Sequence, residues 1–269
     1  MIQVGAYIRG GIGNQLFQYA TARAMSLHNE AELYVDKSYY DNPERPYPFP
    51  YELDNFQIEA SVQARHGSQI REAHYHYNPG LIRKHDKDLF LEGYFQSEKY
   101  FKEYRDIIIG DFTLKHRPSF LCQQWERTIR EIDFPVAVHI RRGERVVEKV
   151  ARQMHGVIDM SYYSTAMEIM REKAPKTPTF IYFTDDISWV CDTINPKYAV
   201  VGLPSYEDIH LMSLCKGAII ANSSFSWWGA WLGRPDNIVI APKNWECGRP
   251  DNTKDVVPER WLTIKAKYL

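Results

Sequence analysis

Short apolar runs, each closing on a glycine-rich or polar segment and followed by a helical pattern, recur from one end of this chain to the other. IQVGAYI (2–8) runs into RGGIG (9–13). NQLFQYATARAMSLHN then sets Leu16, Phe17, Ala20, Ala24 and Leu27 on one helical face, and ELYVD (32–36) is the next apolar run. Strand, turn, helix, strand in that order predicts a βαβ opening. The second half alternates more regularly. An apolar run at 136–138 meets HIRRGE, the helical YYSTAMEIMREK stops before Pro175, and TFIYF (179–183) meets TDD. YAVVGL is followed by EDIHLMSLCK and Gly217, AIIA (218–221) leads through NSSFS into WWGAWL, and NIVIA (238–241) comes after. Such runs are strands covered on both faces, which points to an α/β fold with parallel sheets.

Two Rossmann-like halves facing across a cleft account for this order, with boundaries 1–133 and 134–269. Asp133-Phe134-Pro135 ends the helix LCQQWERTIREI, and proline cannot continue it. The stretch 37–80, rich in Pro, Tyr and His, has little periodicity and reads as loops with a few short elements. DLFLEGYF (88–95) returns to strand, and Ser97 is placed to cap a helix through EKYFKEYRDII.

With 33 Lys+Arg against 34 Asp+Glu, the net charge of −1 excludes bulk attraction to nucleic acid or anionic lipid and leaves local basic sites only. The four cysteines, Cys122, Cys191, Cys215 and Cys247, are far apart and form no CxxC pair, so they suggest neither zinc nor a disulfide framework. No charged leader precedes an apolar stretch, and no run approaches the ~20 apolar residues of a membrane span. A cytoplasmic protein without a membrane span is the expectation.

In an open α/β sheet, ligands bind beyond the carboxyl ends of the strands. HIRRGE, TDD and NSSFS all fall there, and together they can hold a nucleoside diphosphate. Arg141 or Arg142 can fork onto phosphate oxygens. Ser223, Ser224 and the N–H groups opening the next helix form an anion site. Asp208 can accept from guanine N1–H and N2–H. Each has a plainer reading: Arg142 paired with Glu144, the serines as helix caps, Asp208 as a first-turn acid favoured by the dipole. In the first half GGIGNQ lacks the GK[ST] of a Walker loop and the third glycine of GxGxxG. Gly10, Gly11 and Gly13 allow close backbone approach, and Asn14 either donates to phosphate or caps the helix. Asp36 mimics a ribose-binding acid, so an NAD(P)-dependent oxidoreductase is a rival reading, and a non-catalytic binder of glycan or sugar nucleotide is a third.

Six segments then follow one another in order: GGIGNQLFQYATARAM, LEGYFQSEKYF, VHIRRGE, YFTDDISWV, DIHLMSLCKGAIIANSSFSWWGAWL and VIAPKNW. A chain that carries them resembles the bacterial α-1,2-fucosyltransferases of glycosyltransferase family 11. The resemblance implies a GT-B-like fold and inverting transfer of L-fucose from GDP-β-L-fucose to the 2-hydroxyl of a terminal galactose. The glycan it implies is bacterial O-antigen or another surface polysaccharide, whose lipid-linked form would bring the enzyme to a membrane surface. It implies no metal and no other cofactor, GDP-fucose being a co-substrate.

By the same resemblance Arg141 grips the pyrophosphate with Arg142 in support, and His139 and Asp208 read guanine. Asn222, Ser223, Ser224 and Phe225 meet the phosphates through side chain and main chain, and Gly11, Gly13 and Asn14 contribute from the other half. Asp185 and Asp186 line the nucleoside end or order that loop. Glu144 stands where the family usually has Asp. Glu144 and Glu148, beside the arginines, are the candidates for taking the acceptor proton.

Overall fold

The first apolar run is β1 (Gln3–Tyr7), the glycine-rich turn opens α1 (Ile12–Asn29), and ELYVD is β2 (Glu32–Asp36), parallel to β1 from Gln3↔Glu32 to Tyr7↔Asp36. This is the opening that the alternation predicts. The computed structural model describes residues 1–46, 48–73, 76–247 and 253–269. Two short strands, β3 (Ser61–Val62) and β4 (Ser68–Arg71), lie within the aperiodic stretch, of which residues 47, 74 and 75 fall outside the described residues. With β5 (Leu89–Glu92) they complete a parallel sheet of order β3-β2-β1-β5-β4. The order reverses between β1 and β5, so the carboxyl ends of these two strands flank the switch point. Leu16, Phe17, Tyr19, Ala20 and Ala24 of α1 are buried, as the 3.6-residue pattern requires.

The helix expected after Ser97 is broken. Ser97 caps only a 3₁₀ turn, Glu98–Tyr100, and a second turn, Lys102–Tyr104, precedes α2 (Arg105–Asp111). Phe101, wholly buried, sits between them at φ −138°, ψ 0°, outside the helical region.

The chain divides into two compact units, Met1–Arg117 with Lys254–Pro258 and Pro118–Thr253 with Glu259–Leu269. The expected boundary at 133/134 therefore moves to 117/118. Pro135 does end α3 (Phe120–Glu131), but this helix packs on α8 (Ser205–Ser213) of the second unit. The buried carboxylate of Glu207 accepts hydrogen bonds from Ser119 N and Oγ, both at 2.6 Å, which fixes α3 there.

In the second unit β6 (Pro135–Ile140) has all six residues buried, as an interior parallel strand must. Two short helices, α4 (Gly143–Val147) and α5 (Lys149–His155), follow it where the sequence pattern shows none, and α6 (Met160–Lys173) comes next. TFIYF is β7 (Thr179–Thr184), followed by α7 (Ile187–Ile194). YAVVGL forms only the two-residue β8 (Ala199–Val200). Beyond α8 come β9 (Gly217–Ile219), α9 (Ser224–Trp231), β10 (Ile238–Pro242) and the edge strand β11 (Leu262–Ile264). The sheet order is β11-β10-β9-β6-β7-β8, with parallel pairing throughout.

Here the order reverses at β6, and the crevice beyond the β6 and β9 carboxyl ends is the place where the fold admits a ligand. Val136, Val138, Ile140, Ile219 and Ile240 of the sheet bury against Tyr162, Ala166 and Met170 of α6. Trp227, Trp228 and Trp231 are buried and seat α9 in the core from Ser226 to Trp231, while Ser224 and Phe225 at its start are half-buried. Among the described residues no helix is long and apolar enough to cross a membrane.

Candidate functional site

The β6/β9 switch point carries two of the three singled-out loops directly, and β7 supplies the third. Val136↔Gly217 and Val138↔Ile219 set β6 beside β9, so the chain leaves both strands at the same edge. Ile140↔Thr184 sets the end of β6 beside the end of β7. Arg141 and Arg142 thus meet Asp185 and Asp186 on one side, while His139 and Arg145 of the same segment reach Phe225 and Asn222 on the other.

Arg141 is held by two carboxylates. Its Nη2 donates to both oxygens of Glu144, at 2.7 and 2.6 Å, and its Nη1 lies 2.8 Å from Asp185 Oδ2. The extra methylene of Glu144 lets it reach back three residues to this guanidinium. Burial pushes the Glu144 carboxyl up, but the charge and hydrogen bonds of Arg141 outweigh it and hold it below its ordinary value. Such a carboxylate is a poor proton acceptor. Glu148 is exposed, and its carboxylate contacts no described residue. The two glutamates expected as base are thus one engaged side chain and one solvated side chain.

Arg142 is locked by a different pair of contacts. Its Nε donates to Asp186 Oδ2 at 3.0 Å, and its guanidinium carbon lies 3.9 Å from the centre of the Trp189 ring. The expected pairing with Glu144 is not found, because Arg141 takes that carboxylate. Asp186 also caps α7 by accepting from Trp189 N, and Asp185 Oδ1 accepts from Arg142 N at 2.8 Å. Both aspartates therefore order the loop. Gly143, at φ +23°, permits this: a Cβ there would overlap Asp185 Oδ2.

Arg145 escaped the sequence reading and ties the site together. It is 5% exposed. Its Nη1 donates to Asn222 Oδ1 at 2.5 Å and to Gly156 O at 3.4 Å, and its Nη2 donates to Asn222 O at 3.0 Å. Burial and the neighbouring Arg141 lower its pKa to about 10, so it stays charged at neutral pH. The signal that could have found it is a third arginine in RRGER, directly after a buried strand. Asn222 was expected to touch the donor, but the protein fully engages its amide. Its Nδ2 donates to His155 O at 2.8 Å and Trp245 O at 3.0 Å, so its role is to hold the loop.

What the clasp presents is a set of unused polar groups. No side chain caps α9, although Ser223 stands at its N-cap. Among the described residues the first-turn N–H groups at Ser224, Phe225 and Ser226 therefore have no side-chain acceptor, as an anion site requires. His139, 3% exposed, lies 5.1 Å ring to ring from Phe225, and its Nδ1 has no partner among the described residues. Burial, then Arg141 and Arg145, drives its pKa well below the ordinary value, so the ring is neutral. Asp208 lies in the first turn of α8 with Oδ1 unpartnered. Burial, then Glu207, raises its carboxyl to about 7. A half-ionised carboxylate and a neutral imidazole with idle polar atoms suit the hydrogen-bonding edge of a bound molecule.

Gly11, Gly13 and Asn14 lie at the β1/β5 switch point of the first unit. Gly11, not Asn14, is the N-cap of α1, and Asn14 Oδ1 accepts from Gln96 Nε2 at 2.8 Å. Gly10 makes the turn at φ +80°, where its carbonyl accepts from Tyr40 Oη and Gln15 Nε2. Asp36 Oδ1 accepts from Ser38 N, so the acid that mimics a ribose ligand is occupied in its own turn.

Comparison with known proteins agrees with this layout. Residues 5–265 match the family model described as glycosyl transferase family 11. The chain is 30% identical to the O-antigen biosynthesis glycosyltransferase WbnK of Escherichia coli, over 96% of this chain and 99% of that protein. It is 31% identical to an alpha-1,2-colitosyltransferase of Escherichia coli, over 97% and 99%. It is also 26% identical to galactoside alpha-(1,2)-fucosyltransferase 1 of Bos taurus, over 87% and 67%. Among solved structures, the fucosyltransferase NodZ from Bradyrhizobium aligns with TM-score 0.52 at 13% identity, covering 87% of this chain and 94% of that one. At that identity the likeness establishes the fold, an α/β GT-B-like arrangement with two parallel sheets, which is the fold class expected.

The clasp yields a test. Arg145→Met keeps the volume but leaves the Asn222 amide oxygen unsatisfied. It should destabilise the protein by about 1–3 kcal/mol in chemical denaturation. Unchanged stability would show that the clasp does not hold the loop.

Proposed function

Because the chain belongs to glycosyltransferase family 11, we propose that it transfers L-fucose from GDP-β-L-fucose, with inversion, to the 2-hydroxyl of a terminal galactose on a bacterial surface glycan. The observation that carries the proposal is the joining of the Arg141 loop to the α9 N-terminus through Arg145 and Asn222. That arrangement concentrates guanidinium and main-chain N–H donors where a diphosphate would lie. An NAD(P)-dependent oxidoreductase is not favoured, since Asp36 is occupied and the family match covers nearly the whole chain.

In the proposed reaction the acceptor hydroxyl attacks the fucose anomeric carbon, and the carbon–oxygen bond to the β-phosphate breaks. The electron pair leaves with GDP, through an oxocarbenium-like transition state. Arg141, already fixed in direction by Glu144 and Asp185, exchanges a carboxylate for the diphosphate and stabilises the charge that grows on it. The N–H groups opening α9 act on the same phosphates, with Ser223, Ser224 and Phe225 at that terminus. Arg142 supports Arg141 by holding the loop. Asp208 and His139 are the groups that read guanine. The proton that the acceptor hydroxyl loses passes to solvent or to the departing diphosphate, and neither Glu144 nor Glu148 is given that role. No metal is given a step.

The relatives favour one second reading: colitose, which is fucose without its 3-hydroxyl, in place of fucose on the same nucleotide. Incubation with GDP-fucose or GDP-colitose and a β-galactoside, followed by linkage analysis of the product, decides between them. An α-1,2-fucosylated product supports the proposal. Colitosyl product alone moves the donor, and no GDP release with either donor rejects a transferase of this kind.

Arg141→Ala should lower kcat/KM by on the order of 10²-fold or more while the fold persists by circular dichroism; near-normal turnover removes Arg141 from the role. Asp208 gives a pH test. Its carboxyl sits near 7, and guanine needs the ionised form, so GDP should bind more tightly as pH rises from 6 to 8 in calorimetry. Asp208→Asn should weaken binding and flatten that dependence. A parent affinity that falls over this range contradicts the assignment.

A further inference from the structure

Away from the switch point, α3 and α8 bring three metal-ligating side chains together. Cys122 and Glu126 stand one turn apart on α3, and His210 approaches from α8. The sulfur, a carboxylate oxygen and a ring nitrogen all lie within 4.8 Å of one another. His210 Nε2 is 2.6 Å from Glu126 Oε1. Cys122 is wholly buried, while Glu126 and His210 are partly exposed, so an ion can enter from solvent towards sulfur at the base.

The surroundings favour a cation. Three carboxylates, those of Glu126 on α3 and of Glu207 and Asp208 on the facing α8, act on the Cys122 sulfur. Among the described residues none of these three carboxylates pairs with a lysine or arginine. Glu207 accepts from Ser119, Glu126 meets His210, and Asp208 Oδ1 accepts from nothing. Glu207 and Asp208 thus stand by the thiol with no lysine or arginine paired to them among the described residues, and a packed cysteine beside a simple His–Glu pair does not account for them.

We propose that Cys122, Glu126 and His210 bind one borderline-soft divalent cation of the zinc class and so clamp α3 to α8. Thiolate, imidazole and carboxylate together are a donor set for such an ion rather than for magnesium or calcium. On binding, the Cys122 proton passes to solvent, the proton shared by His210 Nε2 and Glu126 Oε1 leaves to solvent or to Nδ1, and the freed ring nitrogen and carboxylate oxygen turn to the metal. Three protein ligands leave a fourth position on the open side for water. Nothing in the cysteine spacing signals this site, because the partners of Cys122 are a glutamate at i+4 and a histidine far along the chain. The proposal is independent of the transfer reaction.

The test is a Co²⁺ titration of the full-length, tag-free protein in which the exposed Cys191 and Cys247 are replaced by serine, in a thiol-free reductant. The expected result is a sulfur-to-cobalt charge-transfer band in the near ultraviolet that saturates at one ion per chain and is abolished by Zn²⁺. Cys122→Ser should remove the band. His210→Gln, which keeps a hydrogen-bonding side chain, should weaken affinity at least as much as the ~10–100-fold that loss of a mere supporting residue costs. Absence of the band in folded protein, or its survival in Cys122→Ser, overturns the proposal. Should Cys122→Ser fail to fold, an unchanged cobalt affinity in His210→Gln overturns it equally.

Discussion

The buried contact between Arg145 and Asn222 is the interaction on which the site depends. A guanidinium at 5% exposure would be costly if its donors were idle. Here Nη1 and Nη2 reach the amide oxygen and the carbonyl of one asparagine, only Nε being without a partner among the described residues, and Asn222 spends its own amide N–H groups on His155 and Trp245. Segments far apart in sequence are joined in this way at the point where the sheet order reverses. Because the acceptors are neutral, the contact leaves the arginine's positive charge uncancelled by an ion pair, next to the uncapped end of α9. The same contact therefore positions the loop and contributes to its potential.

Around that centre the carboxylates aim the cations. Glu144 and Asp185 fix the direction of Arg141, and Asp186 with Trp189 fixes Arg142. Two neighbouring arginines that look interchangeable in sequence thus differ in surroundings. One is held by carboxylates that an incoming anion can replace, and the other is wedged against an indole. Preorganisation of this kind reduces the reorganisation needed when charge develops on a leaving group.

Much of this was legible in the sequence. Apolar runs that end in polar loops marked β1, β2 and β5 of one sheet and β6 to β10 of the other, but not the short strands β3, β4 and β11, and the loops singled out at the strand ends are those that the β6/β9 edge and β7 bring together. Less legible were features decided by packing at long range. The unit boundary moved because Glu207 captures Ser119, a contact between residues 88 positions apart. The helix after Ser97 broke because burying Phe101 outweighs local propensity. Arg145 was hidden because α4 and α5 are too short to show a period. The engagement of the Asn222 amide was equally hidden, because an amide in a polar loop looks available until its partners are known.

The central claim is that cationic and main-chain donors of the β6 and β9 loops hold a nucleoside diphosphate. Amide hydrogen exchange with and without saturating GDP measures it most directly. Exchange should slow in the segments 139–147 and 222–228, together with the first turn of α8. Saturation by GDP with no protection in either of the first two segments would contradict it.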